Sequence, residues 1–176
     1  MTIALIERFG GSLNPRFRFH LLALDGVFRH DLGMMTDEYR LFELSAEGDT
    51  LRTITRVFTP LPVTDADRER AREDLKWFTD QGGRADFSTI PDVKPATRSL
   101  YFDDEGHLWV HVVTASQDDD PVFDVFDPEG RHLGEVRMPF RLSASPPPVL
   151  RGGMLYGVVR DEMDVPYVVR ARIVKP

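Results

Sequence analysis

From Arg16 the segment RFRFHLLALDG alternates apolar and polar residues, then turns apolar before Asp25-Gly26. Alternation with a period of two marks a strand with one face inward, and Asp-Gly readily adopts the positive φ angles of a tight hairpin. VFRHDLGM, YRLFELSAEG and TLRTITRV then read as three more strands, one ending in its own Glu47-Gly48 turn and the last rich in β-branched residues. The same order returns in ATRSLYFDDEG, HLWVHVVTA, VFDVFDPEG and RHLGEVRMP, punctuated by Asp104-Glu105-Gly106 and Pro128-Glu129-Gly130. A third series opens near Val149, turns at Gly152-Gly153, and continues as MLYGVVRDEMDV and PYVVRARIV.

These series are copies of one unit. Leu41, Leu44, Glu47, Gly48 and Leu51 recur at the same spacing as Phe123, Phe126, Glu129, Gly130 and Leu133. Gly106-His107-Leu108-Trp109 matches Gly153-Met154-Leu155-Tyr156, and Gly26-Val27-Phe28-Arg29 follows more loosely. Internal repetition of strand meanders points to a radial β architecture, in which roughly four to eight blades close a ring. The expected fold is all-β, a partial β-propeller of about three four-stranded blades with one helical insertion. Blade one covers about residues 16–58, the insertion 63–95, blade two 96–139 and blade three 149–174. The last unit lacks an outer strand, and an open sheet edge invites association. TIALIERF, over 2–9, is expected to pair with the third strand of that unit, from its own chain or a neighbour.

The insertion breaks the alternation. Thr64 and Asp67 fit an N-cap with a capping-box variant, and DADRERAREDLKWFTDQGG reads as a helix ended by Gly82-Gly83. Ala71, Leu75 and Phe78 share one face, with Trp77, Phe87 and Ile90 as expected anchors. It joins an outer strand to the next inner one, at the end of a propeller where ligands enter. A lid over the channel mouth is one reading; a plain packing element or subunit contact is the simpler one.

Charge and composition narrow the partners. The 29 acidic against 22 basic side chains give a formal charge of -7 over 176 residues, and no basic run is interleaved with aromatics, which argues against nucleic acid and anionic membranes. Cysteine is absent, so disulfides and thiolate metal sites are excluded. No apolar run approaches the ~20 residues of a membrane span. Met1 to Phe9 has neither the basic start nor the long apolar core of a signal peptide; a natural start at Met1 would imply the cytoplasm.

DDEGHLWV, VFDPEGRHLGEVRMP and MLYGVVRDEMDVPYVVRARI resemble the six-bladed β-propellers of bacteria, the group that includes NHL-repeat proteins. The resemblance covers about Arg16 to Ile173 outside the helix. It implies a ring of twice as many blades, so two copies would complete it as a cyclic homodimer with the two-fold axis through the channel. The chain would then be a scaffold presenting a channel face to a small molecule, glycan or protein. Alternatively, it is the excised or engineered C-terminal half of a larger propeller.

Candidate chemistry is sparse. The five histidines form no HExxH or His-x-His pattern, and His107 and His111 on one strand lie about 13 Å apart. His111, in mid-strand, is the one singled out, against the reading of a satisfied half-buried histidine. Asp118, Asp119 and Asp120 precede Pro121 in one loop, and Arg160, Asp161, Glu162 and Asp164 occupy the matching loop of the last unit. Carboxylates converging there would suit calcium or another divalent ion, although no cofactor is expected outright. A metal-assisted hydrolase of the lactonase-like propeller kind would use Asp118, Asp161, Glu162 and His111 around such an ion, calcium or manganese. No serine sits in a Gly-x-Ser-x-Gly elbow, no phosphate loop is present, and Pro146 to Pro148 read as a stiff connector.

Overall fold

The computed structural model describes residues 3–5, 18–23, 26–31, 38–45, 49–116 and 119–174. Their alternating segments form three consecutive antiparallel meanders. The first holds β1 (Ile3–Leu5), β2 (Arg18–Ala23), β3 (Gly26–Asp31), β4 (Tyr39–Leu44) and β5 (Thr50–Arg56). The second holds β6 (Thr97–Phe102), β7 (Leu108–Val112), β8 (Val122–Phe126) and β9 (His132–Arg137). The third holds β10 (Val149–Arg151), β11 (Met154–Arg160) and β12 (Pro166–Arg172). The protein is therefore mostly β.

One strand differs from expectation. Ile3–Leu5 pairs with β2, placing Ile3 opposite Leu22 and Leu5 opposite His20, so it widens the first sheet instead of covering β12. The physical reason is that a short apolar strand fits any open edge of suitable register, and its sequence does not choose between them.

Four hairpins use a single device. The backbone N–H at the first turn position donates to the carbonyl four residues on, and the side chain at that first position accepts the N–H in return. Ser45 and Asp49 do this at 2.8 and 3.2 Å. Asp103 with His107 does so at 3.1 and 2.8 Å, and Asp127 with Arg131 at 3.0 and 2.8 Å. Asp161 with Val165 repeats it at 3.1 and 2.9 Å. Short side-chain acceptors are needed here because only they reach their own turn. The fourth turn position is left-handed: Gly106 at φ 83°, Gly130 at 82° and, without glycine's freedom, Asp164 at 62°.

Alternation along the strands splits the core in two. Tyr39, Leu41 and Ile54 of the first sheet pack on Leu100, Leu108, Val110 and Phe126 of the second. From the other face of that second sheet, Trp109, Phe123 and Val125 pack on Leu150 and Leu155 of the third. β8 is consequently buried along its whole length. A Cβ on Gly130 would lie 3.2 Å from Ile54 Cδ1, so a side chain at this turn would crowd Ile54 of the first sheet.

The insertion is helical as expected, with α1 (Asp65–Asp74) and α2 (Lys76–Asp80) separated at Leu75. Thr64 Oγ1 accepts from Asp67 N at 3.2 Å and Asp67 Oδ2 accepts from Thr64 N at 2.9 Å, a closed capping box. Ala71 and Phe78 are half-buried, whereas Trp77 is 63% exposed and rests edge-on against Phe78. Trp77 is therefore not an anchor. Its position beside Phe78 in a short helix turns it off the buried face. No described helix is long and apolar enough to cross a membrane.

Candidate functional site

His111 stands on β7 between Ser99 on β6 and Phe123 on β8. Its ring stacks on Phe123 with centroids 4.8 Å apart, and Nδ1 lies 3.5 Å from Ser99 Oγ. Burial, and then the Arg98 guanidinium, lower its pKa to about 4. The imidazole is neutral at pH 7 and a weak base, because a general base is most effective with a pKa near the working pH. Tyr101 stands two positions on from Ser99, and burial raises its phenol while the Ser99 hydrogen bond opposes that rise. The result is a small polar group lodged between the second and third sheets.

The expected acidic loops each close on themselves. Asp118 lies outside the described residues. Asp119 Oδ2 accepts from Ser116 N at 2.8 Å, and Arg141 reaches the Asp119 carbonyl at 3.3 Å. Arg160 pairs with Asp164 at 3.0 Å, Asp161 is committed to its turn, and Glu162 sits exposed at the hairpin tip. Among the described residues, no hydrogen bond or ion pair joins Arg160, Asp161 or Glu162 to His111. Nor does any described group of three His, Asp or Glu side chains gather as a metal site. Asp161 Oδ1 accepts from Met163 N and Val165 N, and Asp119 Oδ2 from Ser116 N, so these two carboxylates are each engaged in their own loops.

At the same end of the second sheet the insertion is latched by a lysine. Lys94, only 8% exposed, donates to Asp67 Oδ1 at 2.9 Å and to the Ala115 carbonyl at 2.8 Å. The Thr64 hydroxyl and then Lys94 hold the Asp67 carboxyl far below the ordinary carboxylate range. The helix cap is thus wired to the β7–β8 loop.

Sequence reasoning passed over a buried cluster between the first two sheets. Asp124 is wholly inaccessible; its Oδ1 accepts from Arg56 Nη1 and lies 3.2 Å from His132 Nε2. Arg56 Nη2 also donates to Glu135 Oε1 at 3.1 Å. Tyr39 Oη and Asp124 Oδ2, both buried, make no hydrogen bond of normal geometry, yet they are near enough that burial and then the carboxylate raise the phenol's pKa far above its usual value. The available signal was an aspartate in the middle of the otherwise apolar VFDVF. The cluster's chemistry is that of a clamp, since Arg56 of the first sheet bonds Asp124 and Glu135 of the second. No family model, no curated protein and no solved structure matches the chain.

Proposed function

We propose that the chain is a three-bladed β-propeller unit that completes a ring with a second copy and acts as a binding scaffold, not as an enzyme. The observation that supports this is the serial stacking of the three sheets. β2 lies against β6, and the end of β6 is bridged in parallel to β10 through Asp103 and Leu150, while the sheets stack face to face. Sheets stacked in series, with the middle one buried on both faces, suit blades about an axis, whereas a two-layer sandwich offers no place for such a middle sheet. The committed carboxylates and the weakly basic His111 favour binding over turnover. The ligand classes that suit a channel face are a small molecule, a glycan or a protein segment.

Size-exclusion chromatography with light scattering tests it. The expected species has twice the 20.1 kDa of one chain. A folded monomer at every accessible concentration overturns the reading.

A further inference from the structure

Resting on the reading of the chain as a binding scaffold, and not on ring completion, we infer that Arg98, Arg141 and His111 form a site for a small ligand carrying a carboxylate or phosphate group. Three cations stand at the end of the second sheet where β7 runs into β8, and two of them are engaged. Lys94 donates to the Ala115 carbonyl at 2.8 Å and Arg141 to the Asp119 carbonyl at 3.3 Å, so each limb of that loop is held by a cation. Arg98 is different. The register skips it, with Thr97 opposite Val112 and Ser99 opposite His111, which makes it the extra residue of a β-bulge. A bulge re-aims a side chain out of the regular ladder. Arg98 is exposed, and no hydrogen bond or ion pair joins it to any described residue.

Its surroundings are those of a cation without a counter-ion. Partial desolvation and then the Arg141 charge lower the Arg98 pKa, and Arg98 is second to burial in lowering that of His111, so the three groups are near enough to oppose one another. Asp67 attracts Arg98, but its carboxylate already accepts from Thr64 and Lys94. The Asp119 carboxylate accepts from Ser116 N. Two guanidinium groups that the fold keeps together, each a planar fork of donors, suit one oxyanion shared between them. His111 completes the set. Its Nδ1 lies 3.5 Å from Ser99 Oγ, and Nε2 has no hydrogen bond among the described residues. An anion at Arg98 cancels the charge that disfavours the imidazolium, so the ring can take a proton and donate to the ligand. The chain's formal charge of -7 repels polyanions at long range, which restricts the site to a small ligand held by local contacts.

Inorganic phosphate and succinate, each titrated at constant ionic strength, are the probes, and NMR of the imidazole rings is the readout. The His111→Phe variant identifies the His111 signal by its loss. A saturating probe is expected to move the His111 titration upward by roughly 1 pH unit. Arg98→Gln should weaken binding at least roughly 10-fold and abolish that upward move, while Arg151→Gln on the third sheet should change neither. The tighter probe tells a phosphate ester from a carboxylate, and either result supports the site. A His111 titration that neither probe moves, or an equal loss of binding in both arginine variants, overturns it. Light scattering separates the site from assembly: a dimer indifferent to both anions keeps ring completion without the site, and a monomer whose His111 responds keeps the site without the ring.

Discussion

Arg56, at the end of the first sheet, hydrogen-bonds Asp124, a carboxylate with no solvent exposure in the third strand of the second sheet. Breaking one side of a buried pair leaves the other charge desolvated and alone, which costs about 3–5 kcal/mol. Arg56→Ala is therefore expected to lose about that much stability in urea unfolding. The double variant Arg56→Met with Asp124→Leu should recover most of it, because the junction is otherwise apolar. A loss below about 1 kcal/mol for the single variant would mean that His132, not Arg56, holds the aspartate.

The protein's acid response should begin with His111. Its folded-state pKa of about 4 lies below the ~6.5 of an unfolded histidine. The unfolded chain binds the extra proton between these values, so stability is complete above pH 6.5 and falls as the pH drops toward 4. The expected loss across that window is on the order of 2 kcal/mol, and His111→Phe should abolish most of it. The measurement is urea unfolding at several pH values, with imidazole resonances followed by NMR. A His111 ring that titrates near pH 6.5 refutes the prediction.

Much of this fold was legible because its signals are local. The cap at Thr64 and Asp67, and the turns ending in Gly106 and Gly130, are decided within five residues of backbone, so spacing was enough to locate them. The three series of strands followed from alternation. What sequence could not supply was pairing at a distance: Arg56 reaches across 68 positions to Asp124, and nothing near Ile3 directs it to β2 rather than β12. The candidate site suffered from the reverse problem. Asp161 reads in sequence as a metal ligand because its loop is rich in acids, whereas in space it repeats the turn aspartates Asp103 and Asp127.

The latch on the insertion should be worth more than an isolated cap. Thr64→Ala removes the hydroxyl that accepts from Asp67 N and donates to Asp67 Oδ2, leaves the bond from the backbone N–H of residue 64 to Asp67, and is expected to cost about 1 kcal/mol. Lys94→Met leaves Asp67 capped but frees the Ala115 carbonyl, so its effect should appear in the β7–β8 loop as faster hydrogen exchange at Ser116. If Lys94→Met alters protection only in α1, the helix is not coupled to that loop.

The left-handed turn position gives the sharpest comparison between the repeated hairpins. Asp164, at φ 62°, stands where Gly106 and Gly130 stand in the second sheet. A non-glycine residue there is strained by roughly 1–2 kcal/mol, less for aspartate, which tolerates this region through its short polar side chain. Asp164→Gly removes the strain and loses only the exposed pair with Arg160, worth at most about 1 kcal/mol. Asp164→Val keeps neither the pair nor any tolerance of the left-handed region. The melting temperature should therefore rank glycine at or above the native residue, with valine clearly lowest. A valine variant as stable as the native protein would show that the β11–β12 turn adopts another conformation in solution, and the shared hairpin device would then hold for three turns instead of four.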